Sequence, residues 1–100
     1  MFRTTLAALA LIATPLFAAQ LGDDGLYDAD WIEETFKDLR EDLADANDQG
    51  KTLLIMIEQR GCIYCKEMHE NIFPDPEIDA ALRDSFFVVQ INMFGDVDVT

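Results

Sequence analysis

Two apolar runs of strand length, Leu53-Leu54-Ile55-Met56-Ile57 and Phe86-Phe87-Val88-Val89-Gln90-Ile91-Asn92, are separated by segments whose apolar residues recur at helical spacing. Strands alternating with helices predict an α/β fold in which the two strands lie parallel, joined by a right-handed crossover. A third observation places the chemistry. Both cysteines, Cys62 and Cys65, fall two residues apart in the turn after the first run and ahead of a helical stretch.

A chain of 100 residues has room for one domain, and the N-terminus narrows that further. Residues 1–19 carry one charge, Arg3, then an apolar run from Leu6 to Ile12, then Pro15 and the small pair Ala18-Ala19. That order reads as a cleavable secretory signal peptide, too short in its apolar part to favour a membrane span. Residues 20–29, rich in Gly and Asp, read as a flexible lead-in, and residues 30–100 as the folded domain.

Within the domain, Asp30 with Glu33 three residues on has the pattern of a capping box, followed by Ile32, Phe36, Leu39, Leu43 and Ala46 on one helical face. This predicts an amphipathic helix from Asp30, ended by Gly50 as a left-handed terminator, with Trp31 as a packing residue at its start. Leu53 to Ile57 is continuously apolar, as a buried central strand requires. Glu58-Gln59-Arg60-Gly61 is the turn. A helix from Cys62 to about Asn71 follows, with Ile63, Met68 and Ile72 as core contacts, until Phe73-Pro74-Asp75-Pro76 breaks it. Asp75 then caps a short helix with Pro76 at its first position and Ile78, Ala81 and Leu82 as its buried stripe. The β-branched and aromatic run 86–92 is the second strand, and residues 93–100 are acidic without a clear period.

Composition excludes some functions. The formal net charge is −13, from 20 acidic and 7 basic residues, and loss of Arg3 with the leader makes it one unit more negative. Such a surface repels nucleic-acid phosphates and anionic membranes, and it suits a partner with a basic face. The expected partners therefore include no nucleic acid and no stable membrane insertion.

The cysteine spacing is chemically specific. An exported chain meets an oxidising compartment, where two cysteines can act as a structural staple. A disulfide across two intervening residues closes too small a loop to constrain the unfolded chain much, so its use is chemistry. Cys62 at the first turn of a helix faces unpaired N–H groups and the positive end of the macrodipole, both of which stabilise a thiolate. Cys65, three residues on, shares that face and closes a disulfide without large backbone movement.

The segment Leu53 to His69, with Gly61-Cys62-Ile63-Tyr64-Cys65-Lys66-Glu67 at its centre, resembles the active-site segment of the thioredoxin superfamily. Asn71 to Ile78 and Phe87 to Asn92 are similar to a bacterial periplasmic branch that includes proteins associated with sulfur-compound oxidation. The likeness runs from Asp30 to Asn92. It implies a thioredoxin-like fold, of which these residues form the N-terminal portion built of β-α crossover units. The half that carries the family's cis-proline is expected to be missing from these residues, since Pro74 and Pro76 come too soon after the cysteines to be that residue.

The resemblance implies a periplasmic thiol–disulfide oxidoreductase reducing protein disulfides, with Cys62 as nucleophile and Cys65 as resolving cysteine. Its redox group is the Cys62–Cys65 disulfide, with no other cofactor. Its partners are thiols and disulfides of exported proteins and a membrane electron donor or acceptor. Thioredoxins often place a buried acid six residues before the first cysteine; Met56 stands there in this chain. Glu58, two residues on and so on the same strand face, is the candidate substitute for proton transfer, the other reading being an exposed strand-end acid. Tyr64 is a candidate substrate contact, with packing as its other role. Lys66 and Arg60 read as solvated cations or as electrostatic support for the thiolate. His69, the single histidine, is expected as a partly exposed helix residue. An alternative function is a zinc- or copper-binding module using Cys62, Cys65 and His69, with Glu58 or Glu70 as a further ligand.

Overall fold

The run at 86–92 becomes the strand around which the other elements are laid. The computed structural model describes residues 19–100, so the leader expected at residues 1–19 lies almost wholly outside the described residues. The elements are β1 (Gln20–Leu21), β2 (Tyr27–Asp28), α1 (Leu39–Asp48), β3 (Thr52–Glu58), α2 (Ile63–Glu67), a π-helical turn (Met68–Ile72), α3 (Pro76–Ser85) and β4 (Phe86–Asn92). Strands β3 and β4 pair in parallel, from Thr52 beside Phe86 to Glu58 beside Asn92, and the crossover between them holds α2, the π turn and α3.

Side chains alternate across β4, and each face finds its own cover. Val88 packs with Trp31 and Leu82, joined by Leu54, Met56 and Phe73. Phe87 and Val89 pack on the other face against Ala46, Leu39 and Leu53. Burial of Phe87, Val88, Val89 and Leu82 contributes about 1.5–3 kcal/mol each, and three of these four lie on β4, which makes it the energetic centre of the fold. Trp31 is buried in this core, the packing role read for it.

Helix α1 starts eight residues later than the capping-box pattern indicated. Its cap is Asp38, whose Oδ1 accepts from the Arg40 and Glu41 amides at 3.1 and 3.3 Å. The segment from Asp30 is instead recruited by the open edge of β4. Ile32 bridges Val88 in parallel, and the Glu33 amide donates to the Val88 carbonyl at 2.8 Å. A strand edge offers a row of unpaired backbone groups, and satisfying them outweighs the local helical preference. Asp30 therefore caps no helix; it accepts from Arg83 Nη2 at 2.6 Å, while Arg83 Nε donates to Asp79 at 2.8 Å. Hydrogen bonds to these two carboxylates push the Arg83 guanidinium well above its ordinary value. Phe36, expected on the buried stripe, is 91% exposed because it lies in the irregular segment before the helix rather than in it. The other end of α1 is as expected. Gly50 adopts φ +68°, and the amides of Gly50 and Lys51 return to the carbonyls of Asn47 and Ala46.

Three further expectations are corrected. Strand β3 is not buried along its length: Ile55 and Ile57 are exposed, because α1 covers only its Leu53 end on that face. In α3, capped by Asp75 with Pro76 at its first position, only Leu82 of the expected stripe is buried. Residues 20–28, expected as a flexible lead-in, fold as the β1–β2 hairpin, with Gln20 opposite Asp28 and Leu26 buried beneath.

Candidate functional site

Gly61, at φ +75°, turns the chain out of β3 and delivers Cys62 to the N-cap of α2. Cys62 holds extended backbone angles there, and its Sγ accepts the Cys65 amide at 3.1 Å. An unpaired helix N–H thus points at the sulfur, the arrangement that favours a thiolate once the bond is reduced. Cys62 and Cys65 are joined as a disulfide, with Cα atoms 5.2 Å apart. Both sulfur-bearing residues are half-buried, and the two side chains between them stand in solvent, Ile63 at 71% and Tyr64 at 78% exposure. Ile63 is therefore not the core contact expected of it; the first turn of α2 faces outward on both of these positions. The exposure of Tyr64 removes its packing reading and leaves it beside the disulfide.

The helix after the cysteines does not continue as α. The Phe73 amide reaches the Met68 carbonyl at 2.8 Å, closing a π turn over Met68–Ile72. The wider turn changes which residue faces inward. Met68 and Ile72, expected in the core, are exposed, and His69 takes the buried position at 1% exposure. Its ring stacks on Tyr27 at 5.2 Å and on Trp31 at 6.1 Å, with Phe73 edge-on at 5.0 Å. The expectation of a partly exposed histidine fails because an aromatic cage encloses it.

Glu58 closes the other side of that cage. The last residue of β3, it is 7% exposed and lies on the same strand face as Met56. With Glu58 as carboxylate, Oε2 accepts from His69 Nε2 at 2.7 Å and Oε1 accepts from Gln90 Nε2 at 2.6 Å. Gln90 Nε2 also donates to the Tyr27 carbonyl at 2.8 Å, so β2, β3, β4 and the π turn meet in one buried network. In this tautomer His69 Nδ1 is the acceptor, buried and without a partner. Both carboxylate oxygens are engaged, as burial of such a group demands. At the network's edge the Tyr27 hydroxyl donates to Glu70 at 3.2 Å; burial, then that bond and the charge of Glu70, push the hydroxyl up from its ordinary value.

The network and the disulfide share one cavity of about 360 Å³, to which Glu58, Cys62 and Cys65 all contribute wall. His69 is enclosed by its aromatic cage and does not line the cavity that Cys62 and Cys65 border, and no three His, Cys, Asp or Glu side chains among the described residues gather as a metal-ligand set. The metal reading of Cys62, Cys65 and His69 is thus not assembled by this fold. Lys66 and Arg60 both border the cavity. Gln90 and the π turn carried no sequence signal for a site: Gln90 sits inside a strand pattern, and its partner Glu58 is 32 residues away.

A parallel βαβ crossover with a disulfide at the N-cap of its first helix defines a class, the thioredoxin-like thiol–disulfide redox centres. The model of the thioredoxin-like domain family matches residues 39–100, and the chain belongs to that family. Among curated proteins it is similar to the thiol:disulfide interchange protein DsbD of Pseudoalteromonas atlantica, at 32% identity over 62 residues, 62% of this chain and 10% of that protein. It is also similar to the protein of that name from Colwellia psychrerythraea, at 36% identity over 55 residues, 55% of this chain and 9% of that one. The chain thus spans about a tenth of the length of these relatives. No solved structure matches it.

Proposed function

We propose that the chain reduces disulfides of exported proteins in the periplasm through Cys62 and Cys65. The observation that carries this reading is the half-open disulfide at a helix N-cap, sharing a cavity with a buried carboxylate. In the reduced chain the Cys62 thiolate attacks one sulfur of the substrate disulfide. A mixed disulfide forms and the first substrate thiolate leaves. Cys65 then loses its proton and attacks Cys62 Sγ, restoring the Cys62–Cys65 bond and releasing the second substrate thiolate. Two electrons pass from the chain to the substrate in each round.

Glu58 is the group we assign to the Cys65 proton, carried across the cavity by water. It stands on the strand face of Met56, where thioredoxins often hold their buried acid. Gln90 and His69 hold its two oxygens, which fixes its aim. Tyr64, in solvent between the cysteines, contacts the incoming polypeptide. The leader pattern at residues 1–19 supports export, and the similarity to thiol:disulfide interchange proteins supports protein thiols as substrates. Outside the cytoplasm the disulfide needs re-reduction from a membrane-bound donor. Among the described residues no helix is long and apolar enough to cross a membrane.

The test is Cys65→Ser. With the resolving thiol gone, the mixed disulfide on Cys62 persists, and when the reduced variant meets an oxidised, secreted test protein with one accessible disulfide, the two are recovered as a covalent adduct that dithiothreitol releases. Absence of any adduct under conditions where Cys62 alkylates freely would overturn the reading.

A further inference from the structure

We propose that the β1–β2 hairpin and the active-site turn together form a recognition cleft. It takes a substrate cysteine flanked by an apolar side chain and a carboxylate. The proposal rests on the exchange reading above and names the substrate that this site prefers. Its first support is that the hairpin is a built wall. The Gly22 amide donates to the Leu26 carbonyl at 2.7 Å, the Gly25 amide to the Gly22 carbonyl at 3.0 Å, and the Leu26 amide to Asp24 Oδ1 at 3.0 Å. Tyr27 ties the hairpin to the interior through its ring on His69 and its carbonyl on Gln90.

Hairpin and active-site turn also fit each other closely. Gly25 holds φ +83°, and a Cβ there would meet Arg60 Cγ and Nε at 2.8 Å. The Arg60 stem therefore lies directly on the hairpin backbone, a contact only glycine permits on both counts. The hairpin precedes residues 39–100, the stretch that the family match covers, so the likeness to thioredoxin-like domains does not account for it.

The chemistry of the cleft has two parts. Its apolar part is Leu26, buried at 3%, with Leu21 and Ile63, 64% and 71% exposed, in the same wall. Two exposed aliphatic side chains facing one small cavity beside a reactive sulfur offer a contact that water does not reward. Its charged part is Arg60 and Lys66. Neither has a carboxylate partner within ion-pair distance among the described residues, whereas the one acid in the cavity wall, Glu58, is held by His69 and Gln90. In a chain with 20 acidic and 7 basic residues, these two cations outnumber the single carboxylate of Glu58 in this cavity wall, although Arg60 also borders a neighbouring cavity lined by Asp24, Asp28, Glu33, Glu34 and Asp96. An acidic substrate side chain is steered past a repelling exterior to that spot and seated there.

The test compares two peptides that differ only beside the cysteine, each as a mixed disulfide with thionitrobenzoate. One carries Leu and Glu beside the cysteine, the other Ser and Lys. The fully reduced chain is mixed with each in single-turnover experiments, with neutral hydroxyethyl disulfide as a reference for sulfur reactivity. The proposal expects the Leu/Glu peptide to react about ten-fold faster or more. It expects that ratio to fall toward one in Leu21→Ser and in Arg60→Gln, with only Arg60→Gln losing the salt dependence of the preference. Reaction with hydroxyethyl disulfide but equal rates with the two peptides, or a ratio unmoved in both variants, would overturn the cleft alone. No reaction of the wild-type chain with any of the three disulfides would overturn the exchange reading itself, and the cleft with it.

Discussion

The two flanks of the Cys62–Cys65 pair have opposite characters. On the outer flank Ile63, Tyr64 and Lys66 stand in solvent and touch little. On the inner flank Glu58, His69 and Gln90 are buried, bonded to one another, and enclosed by Tyr27, Trp31 and Phe73. The difference matches the two demands of thiol–disulfide exchange. One sulfur must be reachable by a bulky polypeptide, so its surroundings are open. The other must lose its proton at the right moment, and a proton acceptor keeps a fixed aim only when packing and hydrogen bonds hold it.

The sharpest way to break this contrast is to cross it at the sulfur itself. Cys62→Ser removes the nucleophile, and exchange measured by insulin reduction should fall to the uncatalysed rate. On the inner flank, Glu58→Leu should slow resolution of the mixed disulfide by about 100-fold, at the low end of what a positioned proton-transfer group contributes. The same change leaves His69 without its acceptor and Gln90 with only the Tyr27 carbonyl, and urea unfolding should report a loss of about 1–3 kcal/mol. Attack by Cys62, followed separately by its alkylation rate, should change far less. Equal slowing of both steps would show that Glu58 serves the fold and not the proton.

His69→Phe sharpens the point, because it keeps an aromatic ring in the cage and removes only the bond to Glu58. We expect resolution to slow by several-fold, with recovery in His69→Gln, whose amide supplies a donor again. The smallest effect belongs to the outer flank. Tyr64→Ala should leave stability within about 0.5 kcal/mol, as for other solvent-exposed positions, and raise KM for a protein substrate a few-fold with kcat unchanged.

The cysteine pair was legible from the residues in order; Ile63 beside it, expected in the core, and most of the inner flank were not. Cys62 and Cys65, the Gly50 terminator, the Asp75-Pro76 start of α3 and the strand at 86–92 all depend on chemistry within a few residues of themselves. The start of α1 was misread for the converse reason: a capping-box pattern at Asp30 is a local signal, and the edge of β4, more than 50 residues away, captured Ile32 and Glu33 instead. His69 was placed at the surface by α-helical spacing, which the π turn breaks. Glu58 and Met56 were correctly read as sharing a strand face, yet the partners that bury Glu58 lie 11 and 32 residues along the chain. Pairings of that kind leave no periodic trace.

The most direct test of the central claim, that Cys62–Cys65 is a reductive exchange centre, is its redox equilibrium in glutathione buffers, followed by quantitative thiol alkylation. The account predicts a reversible two-electron couple close to the thioredoxin value of about −270 mV. A couple near about −120 mV would make the chain an oxidant of the disulfide-forming type, and the absence of any reversible couple would contradict the account outright.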